Sequence, residues 1–277
     1  MHQDARPPST LSEKTLVPFL ALAFGFTWGI AALLILFPEP LAAVFGEVRL
    51  SNPLYILAVY SPGFAAIFLV WRHAGATGLL GFLRRLTLWR APRGWWAFLI
   101  LGIPAVFYAG AALKGSLGDP FPFSPWTQVF PALALHLFLG PIEELGWRGY
   151  ALPLLQRRLN PLGAGLLLGL VWAVWHIPAF LLGGTVQSAW SFGPFFAGVI
   201  AISVIMTPMF NAARGSLLLP FLYHFQMNNP IWPDAQPWDT AGFVGIAVAV
   251  VWLNRHTMLQ RGAGVTRVLP SEGRDEA

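Results

Sequence analysis

The stretch "PIEELGWRGY", residues 141–150, sets two adjacent glutamates and an arginine between long apolar runs. The chain has 277 residues, 56% of them hydrophobic and only 10% charged. A soluble domain of ordinary composition carries about 25% charged residues. With a mean hydropathy of +0.61, this composition is that of a polytopic membrane protein, not of a globular enzyme with a large core. Three charges within ten residues of such a chain need a reason, because ionisable groups inside a bilayer are costly unless they pair or work.

Helix geometry separates the three. Neighbouring residues point about 100° apart, so Glu143 and Glu144 do not readily share a partner. Glu144 and Arg148 are four apart on one face, which suits an ion pair. Pairing removes most of the cost of burying both. Glu143 is then left over, and a carboxylate in apolar surroundings can serve as a general base or a metal ligand. The competing reading of this stretch is that the helix ends here and both glutamates face cytoplasmic water.

Working outward, eight apolar spans of roughly membrane-crossing length follow one another, at 17–37, 54–71, 95–113, 127–147, 162–182, 192–210, 216–230 and 240–254. The last two are short. The expected fold is all-α, a polytopic transmembrane helix bundle with no internal repeat. A polar tail (1–16) precedes the membrane domain (17–254), and a cytoplasmic tail (255–277) ends in a disordered "LPSEGRDEA". The apolar stretch behind the first tail lacks a small-x-small cleavage site and reads as an uncleaved first helix. With the N-terminus placed in the cytoplasm, every Lys and Arg except Arg49 and Lys114 falls on the cytoplasmic side. That bias supports an even number of spans with both ends inside. The net charge of +5 thus reads as orientation and lipid-headgroup chemistry, and nucleic acid is not an expected partner. Residues 72–93 are either a short amphipathic element on the cytoplasmic interface or a basic loop. The 13 Trp and 22 Phe fit interfacial aromatic belts. The absence of cysteine excludes disulfides and thiolate chemistry.

Other polar residues also stand within the spans. His176 lies in "LVWAVWHIPAF", with Pro178 expected to kink the helix behind it. His224 and Asn228, in "LLLPFLYHFQMNNPIW", are one turn apart on a common face. Each alone could be interhelical hydrogen bonding. Glu143, His176 and His224 can reach mid-depth or the cytoplasmic half, where they could meet in one water-accessible cavity and form a hydrolytic constellation. His136 shares the Glu143 face two turns earlier, and either lines that cavity or bonds to a neighbour nearer the outer half. The flanking Trp172, Trp175, Phe221, Tyr223 and Phe225 read as packing before substrate contact. Gly163, Gly165 and Gly169 read as sites of close helix approach, and "WPDAQPWD" (232–239) as an outer turn.

These residues resemble a known family. "EELGWR" fits EExxxR, "WAVWH" resembles FxxxH with Trp172 where Phe is usual, and "HFQMN" fits HxxxN. Their order over residues 127–230 looks like the CPBP intramembrane protease family, which includes CAAX prenyl endopeptidases and bacteriocin-processing, ABI-type proteins. The resemblance implies that Glu143 and His176 activate the attacking water, that His224 and Asn228 hold the oxyanion, and that Glu144 and Arg148 are structural. It leaves the metal open. A metal form would use Glu143, His176 and His224 around a divalent ion such as zinc; a metal-free form would use Glu143 as base with His176 as its partner. No HExxH spacing occurs.

The function expected is an intramembrane endopeptidase opening toward the cytoplasmic side. Its partners would be the lipid bilayer and a peptide or membrane-protein substrate, possibly prenylated. Two rivals are a proton- or ion-coupled transporter, since buried Glu and His also build ion pathways, and a membrane scaffold that binds without cleaving.

Overall fold

The computed structural model describes residues 11–269, which are helical and irregular with no strand among them. The outermost tail residues, including Arg6, Arg274 and nearly all of the acidic C-terminal stretch, lie outside the described residues. The helices are α1 (Leu16–Leu36), α2 (Pro38–Phe45), α3 (Pro53–Arg84), α4 (Arg93–Lys114), α5 (Val129–Leu139), α6 (143–155), α7 (Pro161–Trp175), α8 (Ile177–Leu181), α9 (Phe192–Ala212), α10 (Leu218–Met227), α11 (Trp238–Leu253) and α12 (Arg255–Met258).

Five helical segments are long and apolar enough to cross a bilayer: Glu13–Leu36, Pro53–Thr87, Arg93–Lys114, Pro161–Leu181 and Phe192–Ala212. Trp126–Leu139 and Trp238–Leu253 are apolar but shorter. Large apolar side chains on their outer surfaces, among them Val17, Leu36, Trp71, Leu113, Val248 and Trp252, are exposed, as a surface bathed in lipid tails requires. This is a multi-pass membrane protein.

Three of the expected spans differ from the structure. The span at 54–71 continues as helix to Arg84, bent where Gly75 takes φ 64°. Residues 76–84 are thus helical, and they lead into protein, where Phe82 and Arg85 are buried. The span at 127–147 breaks in a turn at 140–142 between α5 and α6. The span at 216–230 contains only the ten-residue α10. Ten residues rise about 15 Å, half of a hydrocarbon core of about 30 Å. Its C-terminal end is therefore inside the bundle, where irregular backbone is tolerated only if it lines a cavity.

Local chemistry starts the main helices. Asn52 accepts from the backbone N–H of Leu54 and Tyr55, with Pro53 in the first turn of α3. Asn160 likewise accepts from Gly163 N–H ahead of α7; these are N-caps that satisfy otherwise orphaned donors. The central helix is α9, nearly all buried from Gly198 to Phe210. It packs against α7 and α11, while α1 packs along α3. Gly165 and Gly169 allow the α7–α9 approach: a Cβ there would lie 2.6 Å from Thr207 Oγ1 and 2.9 Å from Ile200 Cα. Gly163, expected to do the same, meets only its own cap residue and Leu159.

One face of the bundle gathers both described ends. Arg85 donates to the carbonyls of Gly215, Gly149 and Val268. Arg157 donates to the carbonyls of Leu11 and Thr266, and Arg158 pairs with Glu13. The segments near 11–15, 85–90, 149–160, 211–216 and 254–268 thus form one basic layer. The connections after α1, α4, α8 and α10 lie on the opposite face.

Candidate active site

Glu143 begins α6 and is buried, 3% exposed. Its Oε2 accepts two indole N–H groups, from Trp147 at 3.2 Å and from Trp172 at 2.9 Å. Trp147 is one turn further along the same helix and Trp172 arrives from α7. Oε1 carries no hydrogen bond and is not among the sealed, partnerless atoms; it opens to the cavity that Glu143 lines.

Glu144 points elsewhere. Its Oε1 accepts from Arg148 Nη1 at 3.0 Å and from His224 Nδ1 at 2.8 Å. The expected Glu144–Arg148 pair is present and fully buried, and the same carboxylate also orients a histidine from α10. The Arg148 guanidinium lies over the Trp172 ring at 4.2 Å, a cation–π contact. Residues Leu145–Ala151 form a π-helical stretch, a wide turn of the kind found at functional sites.

His176 sits at the break between α7 and α8, just before Pro178. Its Nδ1 lies 2.7 Å from the Trp172 carbonyl. A carbonyl only accepts, so Nδ1 carries the hydrogen and Nε2 presents a lone pair. His224 and Asn228 approach Gly140 in the turn that ends α5. A Cβ at Gly140 would lie 2.1 Å from Asn228 Nδ2 and 2.7 Å from His224 Nε2. Only a glycine lets both groups come this close. The Trp172 ring contacts both imidazoles, with centroids 5.6 Å from His176 and 5.4 Å from His224.

Glu143, His176, His224 and Asn228 line one cavity of about 660 Å³. His136 lines it as well, with its Nδ1 on the Ala132 carbonyl. Trp172 and Trp175 contribute to the wall, whereas Phe221, Tyr223 and Phe225 do not. The 232–239 turn supplies Trp232, Asp234 and Asp239 to the rim. The direction of opening corrects the sequence reading. The cavity is lined from the connections near Leu50, Phe123, Trp190 and Trp232, opposite the basic layer and not toward it. The spans were long enough for the polar groups to meet at mid-depth, but α10 ends there and its irregular continuation opens the other way.

The three groups expected to ligate a divalent ion do not stand as a ligand set. Among the described residues no three His, Asp or Glu side chains are grouped to hold a metal. Glu143 Oε2 accepts two N–H donors and Glu144 holds His224 through Nδ1, which leaves Glu143 Oε1 and His224 Nε2 without a protein partner.

Comparison with known proteins bears on the same segment. Residues 125–229 match the model described as type II CAAX prenyl endopeptidase Rce1-like. These residues run from just before α5 to just past Asn228. Over this segment the chain is similar to a CAAX prenyl endopeptidase. The chain is also 33% identical over 174 residues to CAAX prenyl protease 2 of Methanococcus maripaludis, covering 59% of this chain and 62% of that protein. The chain thus spans about three-fifths of that relative's length. The matched segment contains all six residues singled out from the sequence motifs.

Sequence reasoning missed three parts of the site. Trp147 was overlooked within its own motif. Trp172 was read as a neutral aromatic replacement for Phe, yet its N–H is one of two donors to Glu143. Gly140 carries no chemistry of its own, and only the fold shows what it admits. A hint was available: Trp147 stands four residues after Glu143, within reach of it on any helix.

Proposed function

We infer that the chain is an intramembrane endopeptidase, acting on a membrane-associated peptide or protein through water activated by Glu143. The observation that carries this reading is the one free carboxylate oxygen of Glu143 facing a cavity that also presents His176, His224 and Asn228. Kinship with a CAAX prenyl endopeptidase model and a CAAX prenyl protease supports it.

The chain's own groups suffice to describe the step. Water held between Glu143 Oε1 and His176 Nε2 gives a proton to Glu143 as its oxygen attacks the peptide carbonyl carbon. The carbonyl oxygen becomes an oxyanion, and Asn228 Nδ2–H is placed to donate to it. His224 can donate from Nε2 only when both ring nitrogens carry hydrogen, and Glu144 Oε1 sits where the Nδ1–H of that imidazolium ends. Glu143 then returns the proton to the leaving nitrogen as the C–N bond breaks. A prenylated C-terminus is one candidate substrate, and the apolar cavity wall would accept a lipid chain.

The test is mass spectrometry of peptides, with and without a farnesylated C-terminal cysteine, incubated with the purified protein in lipid. New termini from the native protein and none from Glu143→Gln are expected. Equal cleavage by both would remove Glu143 from the mechanism. Ion flux in liposomes without new termini would favour the transporter reading.

A further inference from the structure

The cavity and the positive charge lie on opposite faces of the bundle. None of the residues 11–15, 84–93, 156–160, 211–216 or 254–269 lines the cavity. Beneath that layer, Trp147, Tyr150 and Phe210 are fully buried and fill the interior between Glu143 and the basic face. On the cavity face, the two basic residues are both neutralised locally, Arg49 by Glu47 at 2.7 Å and Lys114 by Asp234 at 2.6 Å. Arg84, Arg90, Arg93, Arg214, Arg255, Arg261 and Arg267 belong to the basic layer. Loops rich in Lys and Arg near helix ends stay in the cytoplasm.

We propose that the site receives its substrate from the extracytoplasmic face of the membrane. The substrate class is then a peptide segment at the outer end of a membrane-inserted or membrane-anchored chain, with its scissile bond within or just above the outer leaflet. This rests on the peptidase reading for the chemistry, but the access side follows from charge and cavity geometry alone. A segment of this kind enters past Phe123, Trp190 and Trp232, reaches His136, and meets Glu143 below it. A chain end confined to the cytoplasm faces the closed, arginine-tied layer instead.

The chain has no cysteine, so one introduced thiol is unique. Ser188→Cys places it on the cavity face and Ala263→Cys on the basic face; both positions are exposed and neither belongs to the site. The full-length variants would be treated in intact cells with a membrane-impermeant maleimide, before and after permeabilisation. At least tenfold stronger labelling of Ser188→Cys before permeabilisation, with both variants labelled after it, is the expected result. Labelling of Ala263→Cys alone, or of both equally in intact cells, would overturn the proposal. Labelling needs no catalysis, so it stands apart from the peptidase reading. For a peptide cleaved in detergent, cleavage is expected in sealed right-side-out vesicles; cleavage only in inverted vesicles would overturn the access side. Failure to cleave in detergent would count against the peptidase reading and leave the labelling result intact.

Discussion

Arg85 and Arg148 are both buried, one beneath the basic face and one beside the cavity, and they are satisfied in different ways. Arg85 donates to three backbone carbonyls from three separate segments and stacks near Phe82 and Phe210. It ties chain to chain. Arg148 has one carboxylate partner; its Nε and Nη2 find none, and Arg85 likewise leaves its Nη2 without a partner. That carboxylate is shared with His224. Carbonyl ties make a seal; a shared carboxylate couples a charge to a site group. The difference separates the closed half of the bundle from its working half.

Substitutions can sharpen or break that contrast. The largest effect is expected from Glu143→Gln. General acid–base groups contribute about 10²–10⁴-fold to rate, so turnover should fall by that much with an unchanged melting temperature. Next is Gly140→Ala, where the new methyl would push on Asn228 and His224. Loss of an oxyanion donor costs about 10²–10³-fold in kcat, and a smaller loss would mean that α10 shifts to accommodate it. Glu144→Gln should leave the Arg148 charge unpaired, and breaking a buried pair costs about 3–5 kcal/mol. Thermal unfolding in detergent measures this. Adding Arg148→Met should restore the stability but not the activity, because His224 stays unanchored.

Smaller effects come from single contacts. Trp172→Phe keeps the ring over Arg148 and removes one donor from Glu143; a hydrogen bond to a charged group is worth about 1.5–3 kcal/mol. A reduced kcat with little change in KM is expected, and no change would reduce Trp172 to packing. Arg85→Met should lower stability while leaving kcat per folded molecule near native. A loss of kcat there would show that the two halves are coupled after all.

The polytopic helical class was legible because membrane-crossing length is fixed by bilayer thickness and written in hydropathy. The Glu144–Arg148 pair was legible from helical spacing, and the convergence of Glu143, His176, His224 and Asn228 from motif order and depth. The Rce1-like match over residues 125–229 covers the same motifs. What stayed hidden depended on packing between elements distant in sequence. The Glu144–His224 bond joins residues eighty apart, and Gly140 has meaning only beside α10. The half-length of α10 was hidden by an apolar run that continues past its end. The direction of the cavity followed from that helix end, and hydropathy carries no mark of it.

The π-helical stretch at Leu145–Ala151 makes chain length itself part of the site. A π-turn is an α-turn widened to i→i+5 hydrogen bonding. Removing one residue between 145 and 151 would let the segment rewind as ordinary α-helix with its backbone fully bonded. Arg148 and everything after it would then rotate against Glu143 and Glu144. A shortened chain of that kind could insert, fold and resist proteolysis while its carboxylates lost Trp147 and Arg148 as partners. For anyone shuffling or trimming such proteins, the register of this segment needs the same care as the identity of its buried residues.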